Sequence, residues 1–173
     1  MHISDCDVHR DAPTLQRILN EAIIHSTALY DYEPRALATV TAWALSKGVD
    51  GFALRGAFDD QQNLMGFATF GAFRPQPAYK YTVEHSVYVD SSHRGQGIGF
   101  ALLQDLLQQA QDRDYHVMIG CIDAANRASI ALHERLGFVH CGTVKEAGFK
   151  FGRWLDAAFY QRQLATPSAP VDG

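Results

Sequence analysis

The sequence predicts an α/β protein built on a mixed, largely antiparallel sheet covered by helices. Three observations carry that prediction. Short apolar or alternating runs recur at residues 2–5, 52–58, 64–73, 79–90, 116–122, 138–142 and 154–161, the pattern of strands. Segments between them place apolar residues at helical spacing. In mid-chain, the strand that reads Val87-Tyr88-Val89 breaks into a glycine-rich turn and opens directly into an apolar helix.

Each element has its own signal. Residues 2–5 form a first strand. Asp11-Ala12-Pro13 offers an N-cap followed by a proline in the first turn, so a helix is expected to start there. Leu15, Ile18, Leu19, Ala22 and Ile23 form its buried stripe. A second helix is expected over residues 34–46, ending near Lys47-Gly48, with Leu37, Val40, Ala44 and Leu45 on one side. The strands at 52–58 and 64–73 are joined by Asp59-Asp60-Gln61-Gln62-Asn63, a hairpin connection. The strand at 79–90 feeds the glycine turn and a helix over residues 97–113. A strand at 116–122 follows, then a helix over 127–136 stopped by Gly137. Strands at 138–142 and 154–161 complete the set.

Composition narrows the function classes. A chain of 173 residues with 47% apolar content suits one domain, expected over residues 1–164. Residues 165–173, with Thr166-Pro167-Ser168-Ala169-Pro170, have the composition of a flexible tail. A net charge of −4 without a basic cluster argues against nucleic acid as a partner. No apolar run approaches the ~18 residues that cross a bilayer, and the N-terminus lacks a signal-like segment, so no membrane association and a cytoplasmic location are expected. Cys6, Cys121 and Cys141 are isolated and read as reduced thiols. The eight histidines are scattered without ligand spacing, and no metal site is expected.

The richest segment is Arg94-Gly95-Gln96-Gly97-Ile98-Gly99. Alternating glycines leave one side of the turn without β-carbons, so backbone amides can close around an anion. The helix that follows adds its unpaired first-turn N–H groups and the positive end of its dipole. Arg94 brings a planar fork of donors suited to phosphate oxygens. The pattern is G-x-G-x-G, not the G-x-G-x-x-G of a dinucleotide fold, and Gly99-Phe100-Ala101 lacks the lysine and hydroxyl of a P-loop. A pyrophosphate cradle fits; glycines needed only for strand-to-helix packing are the alternative.

Together with Thr82-Val83-Glu84-His85-Ser86-Val87-Tyr88-Val89, Asn126 with Ser129-Ile130-Ala131-Leu132-His133-Glu134, Leu136-Gly137-Phe138 and Lys150-Phe151-Gly152-Arg153-Trp154-Leu155-Asp156, this loop resembles the GNAT superfamily of N-acetyltransferases. Arg94 to Gly99 fits that superfamily's pyrophosphate loop at every position. The further segments resemble its phosphinothricin acetyltransferase branch, and within it bacterial enzymes acting on methionine sulfoximine and methionine sulfone. The likeness runs from Asn20 to about Gln163. It implies the GNAT fold, with about seven strands flanked by about four helices. It also implies acetyl-CoA as co-substrate without a metal, a small-molecule amine as acceptor, and a homodimer.

Candidate site residues follow from residue chemistry and this resemblance together. An ammonium must lose a proton before it attacks a thioester. Glu84 lies in a strand of Val83, Val87 and Val89, where a carboxylate is costly to bury and its pKa rises. From position alone it is either that base or a strand-edge carboxylate paired with Arg74 or Lys80; the resemblance assigns it as base. Asn126, Ser129, Ile130 and His133 share one helix face. The resemblance places Asn126 and Ser129 along the pantetheine arm. His133 is either a helix histidine with a structural role or the group that assists departure of the CoA thiolate, as acid or by orienting. The resemblance implies that the backbone of Val87, Tyr88 and Val89 runs along the pantetheine, with an N–H polarising the thioester oxygen; alternation alone makes these residues ordinary core. Arg94, Gly95, Gln96, Gly97, Ile98 and Gly99 are expected to hold the pyrophosphate.

Phe73 and Arg74 stand where the branch contacts its substrate, and Arg74 is either a clamp for an amino-acid carboxylate or a solvated loop residue. Tyr30, Phe70 and Tyr79 are candidates for a side-chain pocket or for core. Residues 150–156 are expected to be structural first. The resemblance thus implies direct acetylation, in a ternary complex, of the α-amine of a small toxic amino-acid analogue: methionine sulfoximine, methionine sulfone or phosphinothricin. A polyamine, an aminoglycoside or a protein N-terminus remains as another acceptor, and a CoA-binding sensor without turnover as another class.

Overall fold

A computed structural model of the chain describes residues 1–172; Gly173, the end of the expected tail, lies outside the described residues. Seven strands and four α-helices alternate along it. The order is β1 (His2–Asp5), α1 (Val8–His25), α2 (Leu37–Val49), β2 (Leu54–Phe58), β3 (Leu64–Ala72), β4 (Thr82–Val89), α3 (Ile98–Gln111), β5 (Val117–Asp123), α4 (Arg127–Arg135), β6 (Val139–Lys150) and β7 (Arg153–Gln163). The strands form one mixed sheet in the order β1-β2-β3-β4-β5-β7-β6. Its parallel step joins β4 to β5, with Glu84 opposite Ile119; β1–β2, β2–β3, β5–β7 and β7–β6 are antiparallel. The α/β class and the mostly antiparallel sheet are those the sequence predicts.

The chain gathers into two compact units, residues 1–70 with 86–106 and residues 71–85 with 107 onward. In the first, Leu15, Ile18, Leu19, Val40, Ala44, Leu54, Phe58, Leu64 and Phe67 form the core. Apart from Ala44, each such side chain contributes about 1.5–3 kcal/mol by leaving water. The predicted stripe of α1 is buried in full. The helix starts one turn earlier than predicted, however. Asp7 is the N-cap and accepts from the amides of His9 and Arg10, while Asp11 is buried in the first turn and takes the Asp7 amide at 2.9 Å.

The second helix starts later than predicted. Asn20 of α1 accepts the Arg35 amide at 2.8 Å, and Gln16 and Asn20 both donate to the Arg35 carbonyl. These bonds hold the segment extended until Ala36. Of its four expected core residues, Val40 and Ala44 are buried, whereas Leu37 and Leu45 are exposed. In the second unit, Val83, Met118, Ile122, Phe138, Leu155, Ala157, Ala158 and Tyr160 are buried. Strand β6 is more than twice the predicted length. Two irregularities, at His140/Gly142 and Val144/Gly148, interrupt its pairing with β7 and hide its period-two pattern. Phe151 and Gly152, both at positive φ, make the tight turn between β6 and β7, so residues 150–156 serve a hairpin. Beyond β7, Thr166 donates to the Tyr115 carbonyl at 2.6 Å and its own carbonyl lies 2.8 Å from His116 Nδ1.

Candidate active site

Strand β4 carries two sets of candidates, Glu84 in its first half and Val87, Tyr88 and Val89 in its second. In the first unit, Val87, Tyr88 and Val89 are half-buried. A Cβ at Gly66 of β3 would stand 2.8 Å from the Tyr88 carbonyl oxygen, so glycine there permits the close approach of the neighbouring backbone. The Tyr88 ring packs 5.3 Å from that of Phe67.

Asp90 then ends the strand. Its amide donates to the Met65 carbonyl, and its buried carboxylate caps the 3₁₀ turn Ser91–His93 through the Ser92 amide at 2.9 Å and pairs with Arg17. Burial would raise this carboxyl, but the Ser92 hydrogen bonds and Arg17 hold it well below the usual range. The turn is thereby fixed before the glycines begin.

Gly95 and Gly97 sit at φ +75° and +79°, a region side chains rarely adopt, and a Cβ on either would meet nothing within 4 Å. Gly95, Gln96 and Gly97 are exposed, and Ile98 begins α3. Ile98 is buried and anchors the helix start, while Gly99 lies within the first turn. The result is an exposed glycine turn ahead of a helix N-terminus, where backbone N–H groups can meet an anion. Arg94 is half exposed; its Nε donates to the Val89 carbonyl and its Nη2 lies 3.2 Å from Glu21 Oε1. Glu21 was not a sequence candidate. Nothing in its helical position distinguishes it from a solvated charge.

In the second unit, Glu84 is half-buried. Burial pushes its carboxyl above the usual range, and the positive charge of Arg74 opposes part of that rise. Arg74 itself is exposed: its guanidinium stacks 4.3 Å over the Phe73 ring and donates to the Phe73 carbonyl. Tyr79 packs edge-on against Phe73 at 5.7 Å. Burial pushes the Cys121 thiol up to about 11, with the charge of Glu84 adding to the effect, so it stays protonated at neutral pH. Of the pocket candidates, Phe70 is core of the first unit, whereas Tyr30 and Tyr79 are exposed.

Helix α4 starts where Asn126 accepts the Ser129 amide at 3.1 Å, so Asn126 is its N-cap. One turn on, His133 is buried. Its Nδ1 lies 2.7 Å from the Ser129 carbonyl oxygen and its Nε2 lies 3.0 Å from Nε2 of His85. His85 escaped the sequence reading. The available signal was its place beside Glu84, where strand alternation turns it to the opposite face. Gly120 in β5 is the second missed residue: a Cβ there would lie 2.8 Å from His85 Nε2 and 3.1 Å from His133 Nε2. An isolated glycine inside a strand marks such an approach.

The sequence profile of the acetyltransferase (GNAT) family matches residues 15–138. The chain belongs to the GNAT acetyltransferase family. Its fold and its enzyme class, an acyltransferase, follow from that membership. The L-methionine sulfoximine/L-methionine sulfone acetyltransferase of Pseudomonas aeruginosa is 42% identical over 161 residues, 92% of this chain and 94% of that protein. A solved chain from Acinetobacter baylyi ADP1 superposes at TM-score 0.97 with 51% identity, covering 99% of this chain and 97% of the other. A GNAT superfamily phosphinothricin acetyltransferase from Sinorhizobium meliloti, solved in complex with acetyl-CoA, superposes at TM-score 0.93 with 34% identity, covering 98% of this chain and 91% of the other. The GNAT profile takes in the cradle, Glu84 and His133 alike.

Proposed function

We propose that this GNAT enzyme transfers an acetyl group from acetyl-CoA directly to the α-amine of a small amino-acid analogue of the methionine sulfoximine, methionine sulfone or phosphinothricin type. The observation that carries the reading is Glu84 under the electrostatic influence of Arg74. An amino acid presents an ammonium and a carboxylate a few ångströms apart, and these two side chains offer the complementary pair. Exposed Arg74 receives the carboxylate in bidentate fashion, and Glu84 takes a proton from the ammonium.

Acetyl-CoA supplies the acyl group as a thioester. The cradle of Gly95, Gly97 and the α3 N-terminus holds its pyrophosphate with Arg94, Gln96 and Gly99 around it, and the backbone of Val87 to Val89 lines its arm. Glu84 removes one proton from the ammonium, which frees the nitrogen lone pair. The second proton, lost as the C–N bond forms and the C–S bond breaks, balances the one gained by the departing thiol, and the acetyl group passes from sulfur to nitrogen in one transfer. Of its two open roles, His133 takes the orienting one: both ring nitrogens already have partners. Phe73 supports Arg74 by stacking and so belongs to the substrate end.

The relatives' names support the acceptor class, since the Pseudomonas aeruginosa protein is named for methionine sulfoximine and methionine sulfone. The reading includes a homodimer, supported by Phe149, Phe151 and Trp154, large apolar side chains exposed on the β6–β7 hairpin. Three free cysteines suit a reducing, cytoplasmic setting.

The test is thiol release from acetyl-CoA with methionine sulfoximine, methionine sulfone, phosphinothricin, common amino acids, spermidine and an aminoglycoside. Saturable turnover confined to the amino-acid analogues is the expected outcome. Turnover only with the polycations, or with none despite acetyl-CoA binding, overturns the acceptor assignment.

A further inference from the structure

Counting donors and acceptors fixes the protons of the buried histidine couple. His133 Nδ1 lies 2.7 Å from the Ser129 carbonyl oxygen, which only accepts, so Nδ1 carries the proton. His133 Nε2 is then bare, and at 3.0 Å it accepts from His85 Nε2–H. That leaves His85 Nδ1 bare as well, buried and without a partner among the described residues. Both rings are neutral in this arrangement. A charged His85 would have to bury an extra N–H on Nδ1 with nothing to receive it. Burial, reinforced by His133, pushes His85 down to about 3, and burial also lowers His133.

The surroundings are built for the couple. The rings lie 5.0 Å apart at 23°, and Phe138 packs edge-on to both at 5.1 and 5.6 Å. Gly120 leaves the space they occupy on β5. The couple ties the residue after Glu84 to the helix that carries Asn126 and Ser129. Since strand side chains alternate, the tie grips β4 from the face opposite Glu84. Tyr160 of β7, paired with Gly120 and buried, shares this sheet face with the two rings, while Glu84 is turned away and His133 is the titratable neighbour that acts on His85.

We propose that His85 is a positioning residue: its Nε2–H caps the bare Nε2 of a His133 that Ser129 holds in the Nδ1–H form, and the neutral couple locks helix α4 to β4 where Glu84 stands. It follows that His133 has no Nε2 proton to give to a leaving thiolate. The inference goes beyond the acceptor reading, and only its kinetic arm rests on that reading.

Long-range ¹H–¹⁵N spectra of the full-length enzyme distinguish imidazole tautomers without any turnover. From pH 5.5 to 9, a window around the ordinary imidazole pKa of about 6.5, the expected result is that neither ring titrates, with the proton on Nδ1 of His133 and on Nε2 of His85. A wild-type His133 that carries its proton on Nε2, or that titrates in this window, overturns the proposal. His85→Leu removes the donor and leaves His133 Nε2 without a partner, so the Nε2 resonance is expected to shift while Nδ1 keeps its proton, and kcat falls by up to about 100-fold with KM for acetyl-CoA little changed. His85→Gln, whose amide can donate to Nε2, is expected to restore much of kcat and the Nε2 resonance of His133. Equal losses in both variants with unaltered His133 signals would reduce His85 to packing and sink the idea. Because the wild-type spectra stand by themselves, a Leu variant that fails to fold leaves the test intact. Failure of every amine in the acceptor panel would discard the substrate class and not the couple.

Discussion

Glu84 meets conflicting demands. Burial favours its protonated form and Arg74 favours its charge, and burial is the larger effect. As the base it must be ionised, so kcat/KM is expected to fall with decreasing pH through a value above the ordinary carboxylate pKa of about 4.3. Glu84→Gln is expected to lower turnover by about 10²–10⁴-fold with acetyl-CoA affinity, read by calorimetry, nearly unchanged. Stability should move the other way. A carboxyl whose folded pKa is raised stabilises the fold below its unfolded pKa and loses that contribution as pH rises through the folded value. At pH 7–8, therefore, the Gln variant should melt at or above the wild-type temperature, with the difference closing toward pH 4. A variant that is both active and less stable would refute the burial argument. Glu84 was legible in the sequence because a lone carboxylate in a valine-rich strand is an electrostatic cost. His85 was not, because a buried histidine acquires meaning only from the ring it meets 48 residues away.

At the scale of an element, the strand–turn–helix of residues 82–111 shows how local chemistry fixes the shape of a turn. Asp90 closes the strand, two glycines turn the backbone through positive φ, and Ile98 seats the helix. Gly97→Ala is expected to cost about 1–2 kcal/mol from the left-handed backbone alone, since its Cβ meets no protein atom. The larger effect should fall on the ligand: KM for acetyl-CoA is expected to rise at least about tenfold, because the methyl stands in the anion's place. Steady-state kinetics with varied acetyl-CoA reads it, and an unchanged KM would remove the cradle assignment. This element was legible because its glycines, cap and helix start are all sequence-local. The start of α1 was less so: Asp7 and Asp11 are both competent caps, and Asp11 instead takes the Asp7 amide from inside the first turn. The β6 strand was under-read for a related reason, as its two pairing irregularities scramble the period that identifies a strand.

For the whole molecule, the exposed aromatics of the β6–β7 hairpin make an assembly prediction. Sedimentation should find a dimer, and Trp154→Glu should shift the population toward monomer by placing a charge where apolar surface is covered. A wild-type monomer at all accessible concentrations would remove the homodimer from the proposed function. The seven-strand order, with β7 inserted between β5 and β6, belongs to this scale too. Strand number and class came from periodicity. The order needed long-range pairing, such as Gly120 opposite Tyr160.

By itself, the sequence determined the α/β class, the stripe that α1 buries, the glycine turn ahead of a helix and a carboxylate set in a valine-rich strand. Each depends on residues within a few positions of one another, where periodicity, backbone freedom and desolvation act. Only the tertiary structure decided that Arg94 pairs with Glu21, that Arg74 opposes the burial of Glu84, and that His85 and His133 share one proton-bearing contact over Gly120. Those outcomes depend on which distant side chains the sheet brings within hydrogen-bonding and Coulombic range, and distance in space is not written in spacing along the chain.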